Sequence, residues 1–201
     1  VTTLSLSDRV ACYARAFQKW PASHLRLERS GVRESFYGFW CIGNDYRNKS
    51  TYHGAYPRGY LDRVQALFPD AVGERTLHAF SGSLPAGDYV RCDLVQPAEY
   101  TCDVLYLPRK VAAGQFTLVY ADPPYTKLDA QKYGTLMIDR RKTTAALAHV
   151  VAPGGFLVWL DTVWPMHRKA LWETVGQVAI RRSTNHAMRL VSVFRRTESA
   201  A

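Results

Sequence analysis

Four consecutive residues near the middle of the chain, Asp122, Pro123, Pro124 and Tyr125, join an acid, two rings without amide hydrogens and a phenol. They follow Phe116-Thr-Leu-Val-Tyr-Ala121, an apolar run that reads as a buried strand. Proline cannot extend a ladder from an interior strand, so the strand stops here and its last side chains stand over the sheet rim. In an open α/β sheet the carboxyl ends of strands are where ligands sit. A carboxylate followed by prolyl carbonyls is a set of acceptors with no competing donors, suited to an exocyclic amine with two hydrogens to give. Tyr125 adds a ring on which a base could stack. A strand followed by an ordinary proline-rich turn has the same local pattern, so the segments that position these residues have to decide between the two.

Upstream, Gly59 to Phe68 patterns as a short helix and Arg75 to Phe80 as a strand, followed at once by Ser81-Gly82-Ser83-Leu84-Pro85. A glycine at a strand end lets a small ligand approach backbone amides. The next strand, Asp88 to Cys92, closes at Asp93, where a carboxylate can receive both hydroxyls of a ribose; a turn-forming Asp is the alternative. About seven residues separate these strands, fewer than a parallel crossover normally takes, so either the connection is a bare loop or the pair is not parallel. Thr101 to Leu105 offers a further short edge element that carries Asp103.

At the amino terminus, Ser7 is the expected cap of a helix running to about Trp20, with Val10, Tyr13, Ala14 and Phe17 on one face and Pro21 as its stop. Residues 21 to 58 resist assignment. Their aromatics alternate with Arg33, Arg47, Lys49 and Arg58, which fits either a base-stacking, phosphate-binding surface or a lid packed on the sheet. Within them Tyr52-His53-Gly54-Ala55-Tyr56-Pro57 reads as a shaped loop, in contact with a ligand or purely structural.

Downstream, residues 126 to 135 are polar and read as a gating loop, with Lys127 and Lys132 available to phosphates. Arg140, Arg141 and Lys142 open a helix to Val151. Pro153-Gly154-Gly155 reads as a tight reversal into the strand Phe156 to Leu160, which Asp161 ends. A helix over 164 to 176 and strands over Val178–Arg181 and Leu190–Phe194 would complete a seven-stranded sheet, with His186 in a polar turn as a structural or positioning group.

The length of 201 residues suits one core-bearing domain, and 26 Lys and Arg against 17 Asp and Glu imply an anionic partner, for which a nucleic acid is the natural candidate. Residues 1 to 50 carry eight basic against four acidic side chains, residues 101 to 150 seven against four, and residues 151 to 201 seven against three, so the excess lies in the amino-terminal segment and in the half that contains and follows the acidic motif. The cysteines at 12, 41, 92 and 102 form no CxxC spacing, so free thiols are expected rather than a metal site or a disulfide framework. No run of 18 apolar residues and no signal-peptide pattern is present; a cytoplasmic protein without a membrane partner is the expectation.

Asp-Pro-Pro-Tyr resembles the signature of the amino-methyltransferases, which carry a methyl group from S-adenosylmethionine to the exocyclic nitrogen of adenine or cytosine in DNA. Phe80-Ser81-Gly82-Ser83 resembles their first cofactor motif, with Ser83 in place of a second glycine. The resemblance implies a Rossmann-like class I methyltransferase domain over residues 52–201: α/β, a single mostly parallel sheet flanked by helices. It leaves residues 1–51 as an aromatic-rich, basic amino-terminal extension that could contact the target or act as a lid. It further implies cofactor contacts from Tyr52, His53, Tyr56, Phe80, Ser81, Gly82, Ser83, Asp93, Asp103 and Leu105, with Asp103 receiving the cofactor's adenine amine. Asp122, Pro123, Pro124 and Tyr125 would form the catalytic set, and Lys127, Lys132, Arg140, Arg141 and Lys142 would hold nucleic acid, without a metal. Adenine N6 in DNA is the preferred target. RNA adenine or guanine N-methylation, or a catalytically silent nucleic-acid-binding module on the same fold, are the alternatives. The absence of a target-recognition domain would be met by short sequence preference or by a homodimer on the target.

Overall fold

The computed structural model describes residues 4–19, 23–43, 56–182 and 185–198, and for 185–187 the backbone alone. Nine strands form one sheet in the order β1-β2-β8-β9-β7-β6-β3-β4-β5. In chain order the strands are β1 (His24–Ser30), β2 (Arg33–Ile42), β3 (Thr76–Ala79), β4 (Val90–Asp93), β5 (Tyr100–Thr101), β6 (Phe116–Ala121), β7 (Val151–Asp161), β8 (Trp172–Arg182) and β9 (Asn185–Arg196). The helices are α1 (Leu6–Ala16), α2 (Tyr60–Leu67), α3 (Lys127–Lys132) and α4 (Arg140–Val150). Strands β5, β4, β3, β6 and β7 run parallel, and β9 inserts antiparallel between β7 and β8. That seven-stranded order with one reversed strand next to the edge is the class I methyltransferase fold, as the sequence predicts. The amino-terminal hairpin lengthens it, with β2 lying parallel to β8 and β1 antiparallel to β2.

Alternation along the central strands divides the core into two layers. From β6, Leu118 and Tyr120 face the layer that holds Tyr13 of α1 and Val64 of α2, while Val119 and Ala121 face Leu147 and Ala148 of α4. Helix α1 is capped by Ser5, not Ser7, through a capping box in which Ser5 and Asp8 satisfy each other's backbone amides. Its Arg9 is buried, sits over the rings of Phe68 and Phe156, and makes a two-pronged ion pair with Asp70 at 2.6 and 2.8 Å. Of the described aromatics in the β1–β2 hairpin, Phe36 and Trp40 are core residues whereas Tyr37 is exposed; Trp40 stacks on Tyr13 and meets Tyr60 edge-on. Packing, not base stacking, occupies those two rings. A Cβ on Gly176 would run into the Phe36 ring, so this close approach of β8 to β2 requires glycine.

Three local expectations are corrected and one open alternative is decided. No helix forms over 164 to 176: Trp172 and Val175 are buried in β8, and Trp172 to Gly176 pair with β9 as strand instead. Pro153-Gly154-Gly155 is not a reversal between helix and strand. Helix α4 passes directly into β7 at Val151, and the proline-glycine segment is absorbed as an irregularity, with Phe116 opposite Val151 but Leu118 opposite Phe156. Residues 127 to 132 of the expected gating loop form α3, capped by Thr126. Finally, β3 and β4 are parallel, joined by an irregular loop over 80 to 89. That loop is held by side chains where a helix would usually cover it: Arg91 binds the Leu84 carbonyl and Glu99, and the Tyr89 hydroxyl donates to the Pro85 carbonyl.

Candidate active site

Strands β3, β4 and β6 end on the same rim, and a cavity of about 770 Å³ opens over them. After β3 the chain turns through Phe80, a non-glycine residue at φ 62°, and Gly82 at φ 54°. Phe80 is therefore held in the left-handed region, a backbone cost that persists only where the surroundings fix it. The fixing group is Asp93 at the end of β4. Its Oδ2 accepts from the Gly82 amide at 2.8 Å, and its Oδ1 accepts from the amides of Val95 and Gln96 at 2.9 and 2.8 Å. Three backbone amides leave part of the carboxylate's acceptor capacity for a ligand hydroxyl. Asp103 caps the 3-10 turn over 104–109 by accepting from the Leu105 amide at 2.8 Å, and Leu105 is exposed to the cavity beside it.

Asp122 stands one residue beyond β6. The Tyr125 hydroxyl donates to its Oδ1 at 2.5 Å. Burial pushes the Asp122 carboxyl up to about 6, against the opposing pull of the Tyr125 hydrogen bond and of Arg189. Tyr125 is itself pushed well above the usual phenol range, first by burial and then by the neighbouring Asp122 charge. The turn that carries both is anchored from α4 and β7. Arg140 donates to both oxygens of the fully buried Asp161 at 2.7 and 3.1 Å, and its Nη2 also donates to the Tyr125 carbonyl at 3.0 Å. Asp161 is completed by the Trp159 indole and the Thr162 amide.

The cavity brings together Asp122, Pro123, Pro124 and Tyr125 with Phe80, Gly82, Asp93, Asp103 and Leu105, and Lys132 and Lys142 reach its wall. Several expected site residues are elsewhere. Ser83 is exposed outside the cavity, because the turn has already swung away at Leu84, whose amide donates to Ser81. Ser81 is buried next to the lining with its hydroxyl unpartnered. Tyr56 packs on Tyr60 and hydrogen-bonds His78 at 3.2 Å, beneath the strand ends and not in the cavity. Burial lowers that histidine to about 4. Arg140 is committed to Asp161, so it supports the motif instead of facing phosphate; Lys127 and Arg141 are exposed away from the lining. Tyr52 and His53 lie outside the described residues.

Sequence reasoning missed Arg182 and Arg189, which line the cavity from the ends of β8 and β9. The available signal was Arg182 closing the Val178 to Arg181 strand pattern and Arg189 directly preceding the Leu190 to Phe194 run.

The residues around the β3 and β4 ends fit the donor and acceptor set of S-adenosylmethionine. Asp93 lines the cavity with spare acceptor capacity of the kind a ribose would use, Asp103 stands beside the exposed Leu105, and Ser81 has a buried hydroxyl without a hydrogen-bond partner among the described residues.

No protein-family model and no curated protein matches the chain. Among solved structures it is similar to "Putative methyltransferase yhhF from Escherichia coli", at 14% identity over 74% of this chain and 91% of that one, TM-score 0.42. It is similar to TrmN from Thermus thermophilus at 15% identity, covering 91% of this chain and 64% of that one, TM-score 0.46. A third is the 16S rRNA N2 guanine methyltransferase RsmC of T. thermophilus, in complex with AdoMet and guanosine, at 20% identity over 89% and 46%, TM-score 0.36. The chain thus spans less than two thirds of the two Thermus proteins. The fold assignment rests on strand order and direction, not on these likenesses. Among the described residues no helix is long and apolar enough to cross a membrane.

Proposed function

We propose that this chain transfers a methyl group from S-adenosylmethionine to an exocyclic amine of a nucleic-acid base. The observation that supports this reading most is one cavity that holds both an acceptor set for a ribose and adenine, from Asp93 and Asp103, and the Asp122 to Tyr125 acceptors. When bound, S-adenosylmethionine supplies an electrophilic methyl on a sulfonium. The protein's task is to aim the amine. Asp122 accepts one amine hydrogen and the Pro123 carbonyl the other, which turns the nitrogen lone pair toward the methyl group. This is catalysis by orientation and a preorganised field. The field is fixed before substrate arrives, since Arg140 holds the Tyr125 carbonyl and Tyr125 holds Asp122.

The preferred DNA target gives way here to an unpaired base, with RNA placed first. Extruding a base from a duplex takes protein that fills and holds the gap. Bases in single-stranded loops come already unstacked.

Asp122→Ala tests the reading. It should keep S-adenosylmethionine affinity and lose about 100-fold or more in methyl transfer, the scale of removing a preorganised polar contact. Transfer at the parent's rate would overturn the catalytic assignment.

A further inference from the structure

The last hairpin brings two guanidinium groups to the wall of the same cavity. Arg182 ends β8, Arg189 lies on β9 opposite Ile180, and both line the space beside Asp122 and Tyr125. The Arg189 guanidinium carbon sits 4.9 Å from the centre of the Tyr125 ring. Among the described residues no carboxylate lies within ion-pair distance of Arg189, whereas Arg9, Arg29, Arg91, Arg140 and Arg195 each have one. Arg182 is pushed below the usual guanidinium range, first by burial and then by the charge of Arg189. Two like charges lining one half-buried wall disfavour each other. A shared anion would turn that repulsion into attraction, and paired planar forks suit phosphate oxygens.

We propose that Arg182 and Arg189 form a phosphate subsite for the nucleotide whose base is presented to Asp122. This rests on the base-methylating reading above and deepens it: the substrate is recognised as a nucleotide within a strand, not as a free base. The anion nearest a base seated over Tyr125 is a phosphate of its own nucleotide, and the arginines stand beside that ring. Arg189 now covers one face of Tyr125. Drawing its guanidinium onto a phosphate uncovers that face for the incoming base, so backbone engagement and base stacking are coupled through one side chain.

The test measures binding and does not depend on turnover. A single-stranded pentanucleotide series, with each phosphate linkage in turn replaced by neutral methylphosphonate, is titrated against the parent, Arg189→Gln, Arg182→Gln and Arg189→Lys. The parent should show one linkage whose neutralisation weakens binding about tenfold or more, the size of a charge-assisted hydrogen bond. Arg189→Gln and Arg182→Gln should lose the penalty at that linkage alone, and Arg189→Lys should retain part of it. Affinity for S-adenosylmethionine should be the same in all four proteins. A linkage profile in Arg189→Gln that parallels the parent's overturns the proposal, as does a parent with no critical linkage. A fall in S-adenosylmethionine affinity would assign the arginines to the cofactor's carboxylate and overturn it too. If the parent shows the linkage effect and the variants lose it, yet no base is methylated, the subsite stands and the methyl-transfer reading fails.

Discussion

The Tyr125 hydroxyl donates to Asp122 Oδ1 at 2.5 Å, so the two polar ends of the motif are bound to each other before any substrate is present. This contact and Arg189 oppose a burial that lifts Asp122 to about 6. If the carboxylate form orients the amine, kcat/KM should fall as pH drops through about 6. Tyr125→Phe removes a hydrogen bond to the charged form, so the acid limb should move upward. A limb at the ordinary carboxylate value, unmoved in the variant, would show that the Asp122 charge plays no part.

The same shift has a signed consequence for stability. Burial lifts Asp122 to about 6 in the folded state, above the ordinary carboxylate range of the unfolded chain, so between these values the folded state binds more protons and stability declines as pH rises. Asp122→Asn removes that ionisation. The variant should therefore gain stability relative to the parent at pH 7 and lose the advantage below about pH 4. Urea denaturation at the two pH values checks this; a variant less stable at pH 7 contradicts it.

Arg140 is expected to act through position. Arg140→Ala leaves the fully buried Asp161 without its cation and should cost about 3 kcal/mol of stability in urea titrations. Arg140→Lys keeps a charge but cannot span both Asp161 oxygens and the Tyr125 carbonyl with one planar fork. Its expected signature is a reduced kcat with KM little changed. Full activity in the lysine variant would mean that the carbonyl anchor is dispensable.

Asp93 has two duties in this fold. Asp93→Ala frees the amides of Gly82, Val95 and Gln96, and it should lose both stability and S-adenosylmethionine affinity, each by about 1 to 3 kcal/mol. Calorimetry that shows unchanged cofactor affinity would remove Asp93 from the ribose position.

The parts of this fold that were legible in sequence are those whose local pattern and tertiary role agree. Apart from Thr117, Phe116 to Ala121 is buried because β6 is central, and its end is marked by residues that cannot continue a strand. Helix α4 begins at Arg140 as patterned, since Asp139 supplies a side-chain cap. Trp172 to Gly176 fall within the helix expected over 164 to 176, yet pairing with β9 prevails over local preference. The hairpin β1–β2 was hidden because its outer strand is mostly exposed and its inner strand carries Phe36 and Trp40 into a core built by distant segments. Within the site, residues adjacent to a strand end could be found one by one. Arg189 could not, because its place beside Tyr125 depends on the antiparallel insertion of β9.

The central claim is that Asp122 directs methyl transfer to an exocyclic base amine. The most direct measurement incubates the parent and Asp122→Ala with labelled S-adenosylmethionine and mixed RNA and DNA, then identifies labelled nucleosides by mass. The account predicts label on an exocyclic nitrogen, in RNA ahead of duplex DNA, with a loss of about 100-fold or more in Asp122→Ala. Label on a ring nitrogen or carbon, or equal labelling by parent and variant, would contradict it.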